Sequence, residues 1–252
     1  MTDLTGKVFV ITGGNGGIGL GLAEGIAKAG GAIAIWARNE EKNAESVSKL
    51  KSLGVSAHAY VCDVSKENDV KESMIRTLDD FDHIDGLFAN AGRAGTGTPF
   101  VDLTLDEWRS MMAVNLDGVF LTLREAARQL ISQGMGGSLV AVSSTSAVHG
   151  AAGNEAYGTA KTGVTGLVRG LAVALARYEI RVNGLLPGWT ITDLAGPAYE
   201  NERFREITTR RTPARRWADP SEFRSVGAFL ADPTQTFHTG QLICIDGGYT
   251  IF

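Results

Sequence analysis

The sequence is poor in cysteine and proline and contains no membrane-length run of apolar residues. Its 252 residues include 2 Cys and 6 Pro, which excludes a disulfide-rich scaffold and a proline-rich disordered chain. Cys62 and Cys244 lie far apart and lack metal-ligand spacing, so we expect two reduced, buried thiols and no metal site. The lack of a signal-like segment and of an apolar span predicts a cytoplasmic protein that does not contact a membrane.

An excess of basic residues is also missing. The chain has 24 Lys and Arg residues against 28 Asp and Glu, a formal net charge of −4, whereas nucleic-acid-binding domains normally carry a clear positive charge. We therefore expect no nucleic-acid partner.

Glycine, in contrast, is abundant, with 32 residues. This number indicates many places where the backbone approaches a neighbour closely or adopts a positive φ.

Short apolar segments alternate with longer amphipathic ones along the chain, beginning with residues 7–12, 21–30, 32–37, 40–54 and 57–63. Strands that are apolar throughout are typical of a parallel sheet covered by helices on both faces. We therefore predict an α/β fold in a single domain over residues 1–252, a doubly wound, Rossmann-like parallel sheet of about seven strands flanked by helices on both faces. Residues 189–220 interrupt the alternation and are predicted to form a mobile substrate lid.

A glycine-rich turn separates the first predicted strand from a helical pattern. Its sequence is Thr12-Gly13-Gly14-Asn15-Gly16-Gly17-Ile18-Gly19. Glycines at such a turn let the backbone approach a pyrophosphate, which the helix N-terminus attracts. The residues fit both a GxGxxG phasing that starts at Gly14 and a GxxxGxG phasing that starts at Gly13. The alternative to a dinucleotide site is a tight loop between strand and helix.

The end of the second predicted strand lacks the carboxylate that commonly holds the ribose hydroxyls of a dinucleotide. It carries Arg38 instead, whose guanidinium suits a 2′-phosphate and favours NADP(H) over NAD(H). The alternative is that Arg38 only ends the strand and lies over the adenine. Asp63, at the end of the third strand, is either a ligand of the adenine amino group or a turn aspartate.

Tyr157 and Lys161 are four residues apart in a helical pattern and therefore project from one face of the helix. A phenol is a poor base at neutral pH because its pKa is near 10, but an adjacent ammonium favours the phenolate. The two side chains thus form a usable acid–base pair. A pair of this spacing is common by chance, and Ser144 sharpens the assignment because it ends an apolar strand, where ligands of such sheets bind.

Together these motifs resemble those of the short-chain dehydrogenase/reductase family over essentially the whole chain. They are Gly13-x-x-x-Gly17-x-Gly19, Asn90-Ala91-Gly92, Val114-Asn115-Leu116, Ser144, Tyr157-x-x-x-Lys161, Pro187-Gly188 and Asp246-Gly247-Gly248. The resemblance implies the glycine phasing from Gly13. It also implies an NAD(P)-dependent oxidoreductase that interconverts a ketone and a secondary alcohol by hydride transfer.

The resemblance further implies a role for each site residue. Tyr157 would be the general acid/base, and Ser144 would hydrogen-bond the substrate oxygen. Lys161 would bind the nicotinamide ribose and depress the tyrosine pKa, and Asn115 would complete a water-linked proton relay. The cofactor contacts that the resemblance implies are Gly13, Asn15, Gly17, Ile18, Gly19, Arg38, Asp63, Val64, Asn90, Gly92, Tyr157, Lys161, Pro187, Gly188, Thr190 and Thr192.

The sequence departs from the family pattern at Gly16, where members that prefer NADPH often carry Lys or Arg. Arg38 is then the only basic marker of NADP(H), and NAD(H) stays the alternative coenzyme. A further alternative is that the protein is a sugar or alcohol dehydrogenase using NAD(H), a 3-oxoacyl-(carrier protein) reductase, or a non-enzymatic dinucleotide sensor.

Substrate contacts are expected beside the catalytic positions, at Arg93, His149, Asn154 and Trp189. For His149 and Asn154, a place in a surface loop fits the sequence as well. The lid carries a set of arginines that either attracts an anionic substrate or pairs with interleaved acidic residues; they are Arg203, Arg205, Arg210, Arg211, Arg215 and Arg216. Family resemblance also implies a homotetramer built on the glycine-rich helix 155–177 and the carboxyl-terminal end, although the sequence does not separate a tetramer from a dimer.

Overall fold

The computed structural model describes residues 2–252, and its centre is one parallel sheet with the strand order β3-β2-β1-β4-β5-β6-β7. The strands are β1 (Val8–Thr12), β2 (Ala32–Trp36), β3 (Ala57–Tyr60), β4 (Gly86–Ala89), β5 (Gly137–Val142), β6 (Ile180–Pro187) and β7 (Leu242–Ile245). The predicted doubly wound α/β fold is confirmed. Because the chain leaves β1 toward β2 on one side and returns to β4 on the other, the carboxyl ends of β1 and β4 border a crevice where ligands of such sheets bind.

Helices cover both faces of the sheet. They are α1 (Gly17–Lys28), α2 (Glu40–Lys51), α3 (Glu67–Phe81), α4 (Leu105–Met112), α5 (Gly118–Gln133), α6 (Glu155–Leu175), α7 (Gly196–Glu200), α8 (Glu202–Arg211) and α9 (Arg224–Ala231). A π-helical segment, Ala113–Asp117, joins α4 to α5. The helix predicted over 155–177 is thus confirmed with a slightly earlier end.

Two apolar cores flank the sheet, one on each face. Val8 and Val10 point into the core shared with α3, α5 and α6, while Phe9 and Ile11 point into the core shared with α1, α2 and α9. Alternate residues of a strand face opposite sides, so a strand covered on both sides has to be apolar at every position. This requirement explains the uninterrupted run Val8-Phe9-Val10-Ile11.

The helix α1 packs closely against α9 because it carries glycine at the crossing. A Cβ atom placed on Gly25 would lie 1.9 Å from the carbonyl oxygen of Arg224, which no side chain tolerates. Beside this crossing the buried Glu24 carboxylate forms ion pairs with Lys49 and Arg224. The close contact fixes α1, and therefore the turn that precedes it.

The segment predicted as a lid, residues 189–220, contains α7 and α8 and is anchored at both ends. Thr190 and Ala218 form an isolated parallel bridge. Trp217 is 4% exposed, stacks on Trp189 with ring centroids 4.8 Å apart and donates its indole N–H to Thr208 at 2.9 Å. Its mobility stays a prediction, and these anchors restrict any movement to the part between them.

The prediction of two buried thiols is right for Cys62 and wrong for Cys244, which is exposed. Cys244 lies on β7, an edge strand whose residues are only partly covered.

Over residues 2–252 no helix is both long and apolar enough to cross a membrane. Within the same range, no group of three or more His, Cys, Asp or Glu side chains is arranged to hold a metal ion.

Candidate active site

A cleft of about 690 Å³ runs along the carboxyl ends of the strands, a size typical of small-molecule sites. It is bordered by the residues that follow β1 to β6. Most of the residues singled out from the sequence line it, namely Gly13, Asn15, Gly17, Ile18, Arg38, Asp63, Val64, Asn90, Gly92, Asn115, Ser144, His149, Asn154, Tyr157, Lys161, Pro187, Gly188, Trp189, Thr190 and Thr192. Gly19 and Arg93 lie outside the lining.

The glycine-rich turn has the geometry of a phosphate cradle. Gly13 and Gly17 adopt positive φ, 62° and 48°. A Cβ atom on Gly19 would lie 2.3 Å from the carbonyl oxygen of Gly13, so Gly19 supports the turn from behind instead of facing the cleft. Space beside Gly16 is open, and α1 begins there with no side-chain cap on its first N–H groups. Such free groups at a helix N-terminus suit the pyrophosphate of a dinucleotide.

Thr12 and Asn90 tie this turn to the end of β4. The Thr12 hydroxyl accepts hydrogen bonds from the backbone N–H of Asn90 and of Ala91, both at 2.9 Å. In return the Asn90 amide donates to the carbonyl oxygens of Thr12 at 3.0 Å and Gly13 at 3.3 Å. Asn90 and Thr12 therefore hold the shape of the cradle together. Thr12 has no predicted role from the sequence, and its place at the end of β1 is the signal for one.

The adenosine end of the cleft is built from the residues after β2 and β3. Arg38 is exposed two residues beyond β2, where no carboxylate takes its place. Asn15 donates to the Asn43 side-chain oxygen at 2.7 Å, which joins the glycine turn to α2. Asp63 accepts hydrogen bonds from the N–H and hydroxyl of Ser65 at 3.1 and 2.7 Å; it is a turn aspartate that also lines the cleft.

Ser144, Tyr157 and Lys161 converge on the middle of the cleft. Ser144 lies two residues beyond β5, and Tyr157 and Lys161 occupy successive turns of α6. Lys161 is 3% exposed, and its ammonium donates to the carbonyl oxygen of Val142 at 2.9 Å. The Ser143 hydroxyl donates to the Lys161 carbonyl oxygen at 2.7 Å, so α6 is fastened to the end of β5 on both sides of this lysine.

The electrostatics of Tyr157 and Lys161 are dominated by burial. Burial raises the pKa of the Tyr157 phenol, and the hydrogen bond with Ser144 only partly offsets it. Burial also lowers the pKa of the Lys161 ammonium to about 8. The pKa of the phenol is thus raised in this structure because burial dominates. The Lys161 ammonium bonds to a backbone carbonyl and lies 5.7 Å from the phenol ring centre, and its effect on the tyrosine pKa stays a prediction.

Asn115 lies in the π-helical segment between α4 and α5, fully buried. Its side-chain oxygen accepts the N–H of Arg93 at 3.2 Å, and its amide donates to the Arg93 carbonyl oxygen at 3.1 Å. The π-helical turn widens the helix at this point, a feature common at functional sites. Arg93 is thus held through its backbone while its guanidinium bonds to Ser110, which explains why its side chain does not reach the substrate region.

The end of the cleft beyond Ser144 has both polar and aromatic walls. His149 and Asn154 line it, and the His149 ring packs on Tyr249 with centroids 5.3 Å apart. On the other side, Trp189 meets Phe204 edge to face at 5.0 Å. This region suits a substrate that presents hydroxyl groups to one side and a carbon face to the other.

The arginines of the lid do not contribute to this lining. None of the six is among the described residues that border the cleft. Arg216 forms a two-pronged ion pair with Glu222 at 2.5 and 2.6 Å. Arg205 and Arg211 lie over the rings of Tyr199 and Tyr249. The geometry therefore favours a structural role for these arginines over recognition of an anionic substrate.

Comparison with known proteins agrees with this geometry. The family model described as enoyl-(acyl carrier protein) reductase matches residues 13–250. The sorbose reductase of Candida albicans is 34% identical over 98% of this chain and 88% of its own length. The chain belongs to the short-chain dehydrogenase/reductase family. It is therefore an NAD(P)-dependent oxidoreductase that acts on alcohol and ketone groups.

Other short-chain dehydrogenases/reductases match over nearly their full lengths. The 5-keto-D-gluconate 5-reductase of Escherichia coli K12 is 33% identical over 99% of this chain and 97% of its own. A crystal structure of gluconate 5-dehydrogenase from Burkholderia cenocepacia in complex with NADP and tartrate is 35% identical, with a TM-score of 0.93 over 99% of this chain and 97% of that one.

Further residues of this short-chain dehydrogenase/reductase line the cleft without having been singled out from its sequence. They include Lys42, Asp193, Leu194 and Phe204. Lys42 follows Arg38 by four residues at the start of a helical pattern, and this position in the sequence is a signal for it. Asp193 and Leu194 lie in a single 3₁₀ turn after β6 and Phe204 lies on α8. All three belong to residues 189–220, where the alternation of strands and helices is interrupted and does not predict which side chains face the cleft.

Proposed function

We propose that this protein is an NADP(H)-preferring oxidoreductase that interconverts a hydroxylated ketone and its secondary alcohol, with Tyr157 as general acid/base. The observation that carries the proposal is the convergence of Ser144, Tyr157 and Lys161 on one cleft whose other end presents Arg38 in place of a carboxylate. A bound nicotinamide coenzyme supplies or accepts the hydride. The protein residues bind, orient and move the proton.

Tyr157 exchanges the proton with the reacting oxygen. In ketone reduction its hydroxyl gives the proton to the carbonyl oxygen, and in alcohol oxidation the phenolate takes it from the hydroxyl. The Ser144 hydroxyl donates a hydrogen bond to the same oxygen and stabilises the negative charge that develops there. Lys161 supplies positive charge next to the phenol, and Asn115 fixes the loop after β4 that forms the opposite wall.

The coenzyme preference rests on the adenosine end. A 2′-phosphate carries close to two negative charges at neutral pH and needs a cation, which the Arg38 guanidinium offers in a fork geometry that matches phosphate. A carboxylate at this place would instead favour the free ribose hydroxyls of NAD(H). The NADP in the Burkholderia cenocepacia structure supports this choice.

The substrate class rests on the far end of the cleft. His149 and Asn154 supply polar groups there, while Trp189 and Phe204 supply an aromatic wall, an arrangement that suits an aliphatic carbon chain with hydroxyl groups. Relatives that act on sorbose and on 5-keto-D-gluconate support a hydroxylated ketone over a long acyl chain.

We also propose that the protein assembles as a homotetramer through α6 and the carboxyl-terminal end. Val173 on α6 is 83% exposed and Ile251 is 89% exposed. Exposed apolar side chains of this size suit contact with a second copy of the chain.

The test of the proposed activity is a screen of NADPH and NADH with sugar-derived ketones, simple ketones and 3-oxoacyl thioesters, followed by the loss of reduced-coenzyme absorbance. We expect the highest kcat/KM with NADPH and a hydroxylated ketone. Arg38→Ala should lower kcat/KM for NADPH roughly tenfold or more and leave that for NADH within about twofold. A wild-type preference for NADH, or turnover confined to 3-oxoacyl thioesters, would contradict the proposal.

A further inference from the structure

An ion pair that the mechanism does not use crosses the cleft. The Lys42 ammonium in the first turn of α2 lies 2.5 Å from a carboxylate oxygen of Asp193, which follows β6. The two residues are separated by 151 positions in sequence, and both line the cleft. They therefore connect the side of the cleft formed after β2 with the side formed after β6.

A second contact brings the same sides together. A Cβ atom placed on Gly17 would lie 3.0 Å from the methyl carbon of Thr192, so the turn after β6 rests on the phosphate-binding turn next to Asp193. The Thr192 hydroxyl accepts the N–H of Ala195 at 3.3 Å. This hydrogen bond fixes the short helix that begins with Asp193 and therefore the starting point of its side chain.

The other half of the ion pair is fixed next to Arg38. The Asn39 side chain caps α2 by accepting the backbone N–H of Lys42 at 2.9 Å. Lys42 thus lies in the first turn of α2, four residues beyond Arg38, and both residues line the cleft. A phosphate held by Arg38 would be within the reach of a lysine side chain in this first turn.

The ion pair is weak enough for Lys42 to exchange Asp193 for another anion. The side chains of Lys42 and Asp193 are 50% and 86% exposed, and exposed ion pairs contribute little to stability. A phosphate dianion attracts an ammonium more strongly than a single carboxylate does, because it carries more charge and more acceptor oxygens. The phosphate would therefore win the competition for Lys42.

We propose that Lys42 is the second cation of the 2′-phosphate site and that Asp193, from the side formed after β6, competes with the phosphate for it. The inference rests on the proposed NADP(H) preference and extends it to a residue of the lid segment. A coenzyme with a 2′-phosphate takes Lys42 and releases Asp193, whereas one without it leaves the ion pair intact. Asp193 thus sets how strongly the protein distinguishes the two coenzymes, although it belongs to the lid segment, residues 189–220, and not to the residues around Arg38.

Calorimetric titration with 2′,5′-ADP and with 5′-AMP tests this inference without catalysis. We expect Lys42→Gln to raise the Kd of 2′,5′-ADP about tenfold and to leave that of 5′-AMP within about twofold. Asp193→Asn should lower the Kd of 2′,5′-ADP by roughly twofold to fivefold, and this gain should vanish in the Lys42→Gln background. Lys51→Gln is the matched control, since Lys51 ends the same helix and does not line the cleft.

The outcomes separate this inference from the proposed function. If the wild-type protein prefers 2′,5′-ADP but Lys42→Gln weakens both ligands equally, or no more than Lys51→Gln does, the inference is wrong and the coenzyme preference stands. An Asp193→Asn gain of the same size in the Lys42→Gln background would also overturn it, because the effect would then come from the general field of the carboxylate. A wild-type protein that binds both ligands equally overturns both proposals.

Discussion

The Lys161 ammonium lies 5.7 Å from the centre of the Tyr157 ring, on the next turn of the same helix. Its hydrogen bond goes to the backbone carbonyl oxygen of Val142 at 2.9 Å, and not to the phenol. Among the groups around the phenol, Ser144 lowers its pKa, whereas burial raises it by more. The relationship between Tyr157 and Lys161 is therefore one of charge and position, without a hydrogen bond between the two side chains.

Removing the Ser144 hydroxyl should shift the pH dependence of the reaction. Alcohol oxidation needs the phenolate of Tyr157, so kcat/KM for oxidation rises as the pH passes the pKa of the phenol. Because the Ser144 hydrogen bond lowers this pKa, Ser144→Ala should move the rising limb to higher pH and reduce kcat roughly a hundredfold. The pH profiles of oxidation by the two proteins provide the measurement, and an unchanged midpoint would contradict this role of Ser144.

The buried Glu24 carboxylate should make stability depend on pH. Burial opposes its ionisation, but hydrogen bonds from Lys49 and Arg224 outweigh burial and lower its pKa. A carboxyl group with a lowered pKa stabilises the fold above its unfolded pKa of roughly 4.3, and this contribution is lost as the pH falls through the folded pKa.

Glu24→Gln should accordingly reduce the free energy of unfolding by about 1–3 kcal/mol near neutral pH. The difference from wild type should shrink below roughly pH 4. Urea unfolding at both pH values measures it, and Glu67→Gln is a surface control whose ion pair with Lys71 is exposed on both sides. An equal destabilisation at both pH values would show that Glu24 acts through packing alone.

The proposed assembly predicts the mass in solution. A homotetramer has four times the 26.7 kDa of the chain. Val173→Glu, on α6, should yield smaller species, because a carboxylate would be buried at the contact. Light scattering after size exclusion checks this, with Ile75→Glu as the control, since Ile75 is 59% exposed on α3. A monomeric wild-type protein would refute the proposed assembly.

The strand pattern and the carboxyl-end positions of site residues could be predicted from the sequence because parallel strands are apolar throughout and end at one edge of the sheet. Ser144 and Asn90 follow strands in this way and lie where expected. Arg93 also follows β4, and Asn115 holds its backbone. Its guanidinium, however, hydrogen-bonds to Ser110 and lies outside the cleft lining. The position of a residue after a strand predicts where its backbone lies. The direction of a long side chain depends on its hydrogen-bond partner, which the sequence pattern does not predict.

Other features depended on contacts between distant parts of the chain. The ion pair of Lys42 with Asp193 joins two residues that are 151 positions apart in sequence, and no local sequence pattern predicts this contact. Cys244 could not be placed as exposed without knowing that β7 is an edge strand. The rise in the Tyr157 pKa comes from burial, which the four-residue spacing to Lys161 does not reveal.

The central claim is that the Tyr157 hydroxyl carries the proton in the reaction, and its most direct test is Tyr157→Phe loaded with NADPH and mixed with a reducible ketone. The ring remains while the hydroxyl is lost, so the Kd of NADPH should stay within about twofold of wild type. Ketone reduction, followed by the loss of NADPH absorbance, should slow by roughly a thousandfold or more. Reduction at close to the wild-type rate with NADPH bound would contradict the claim.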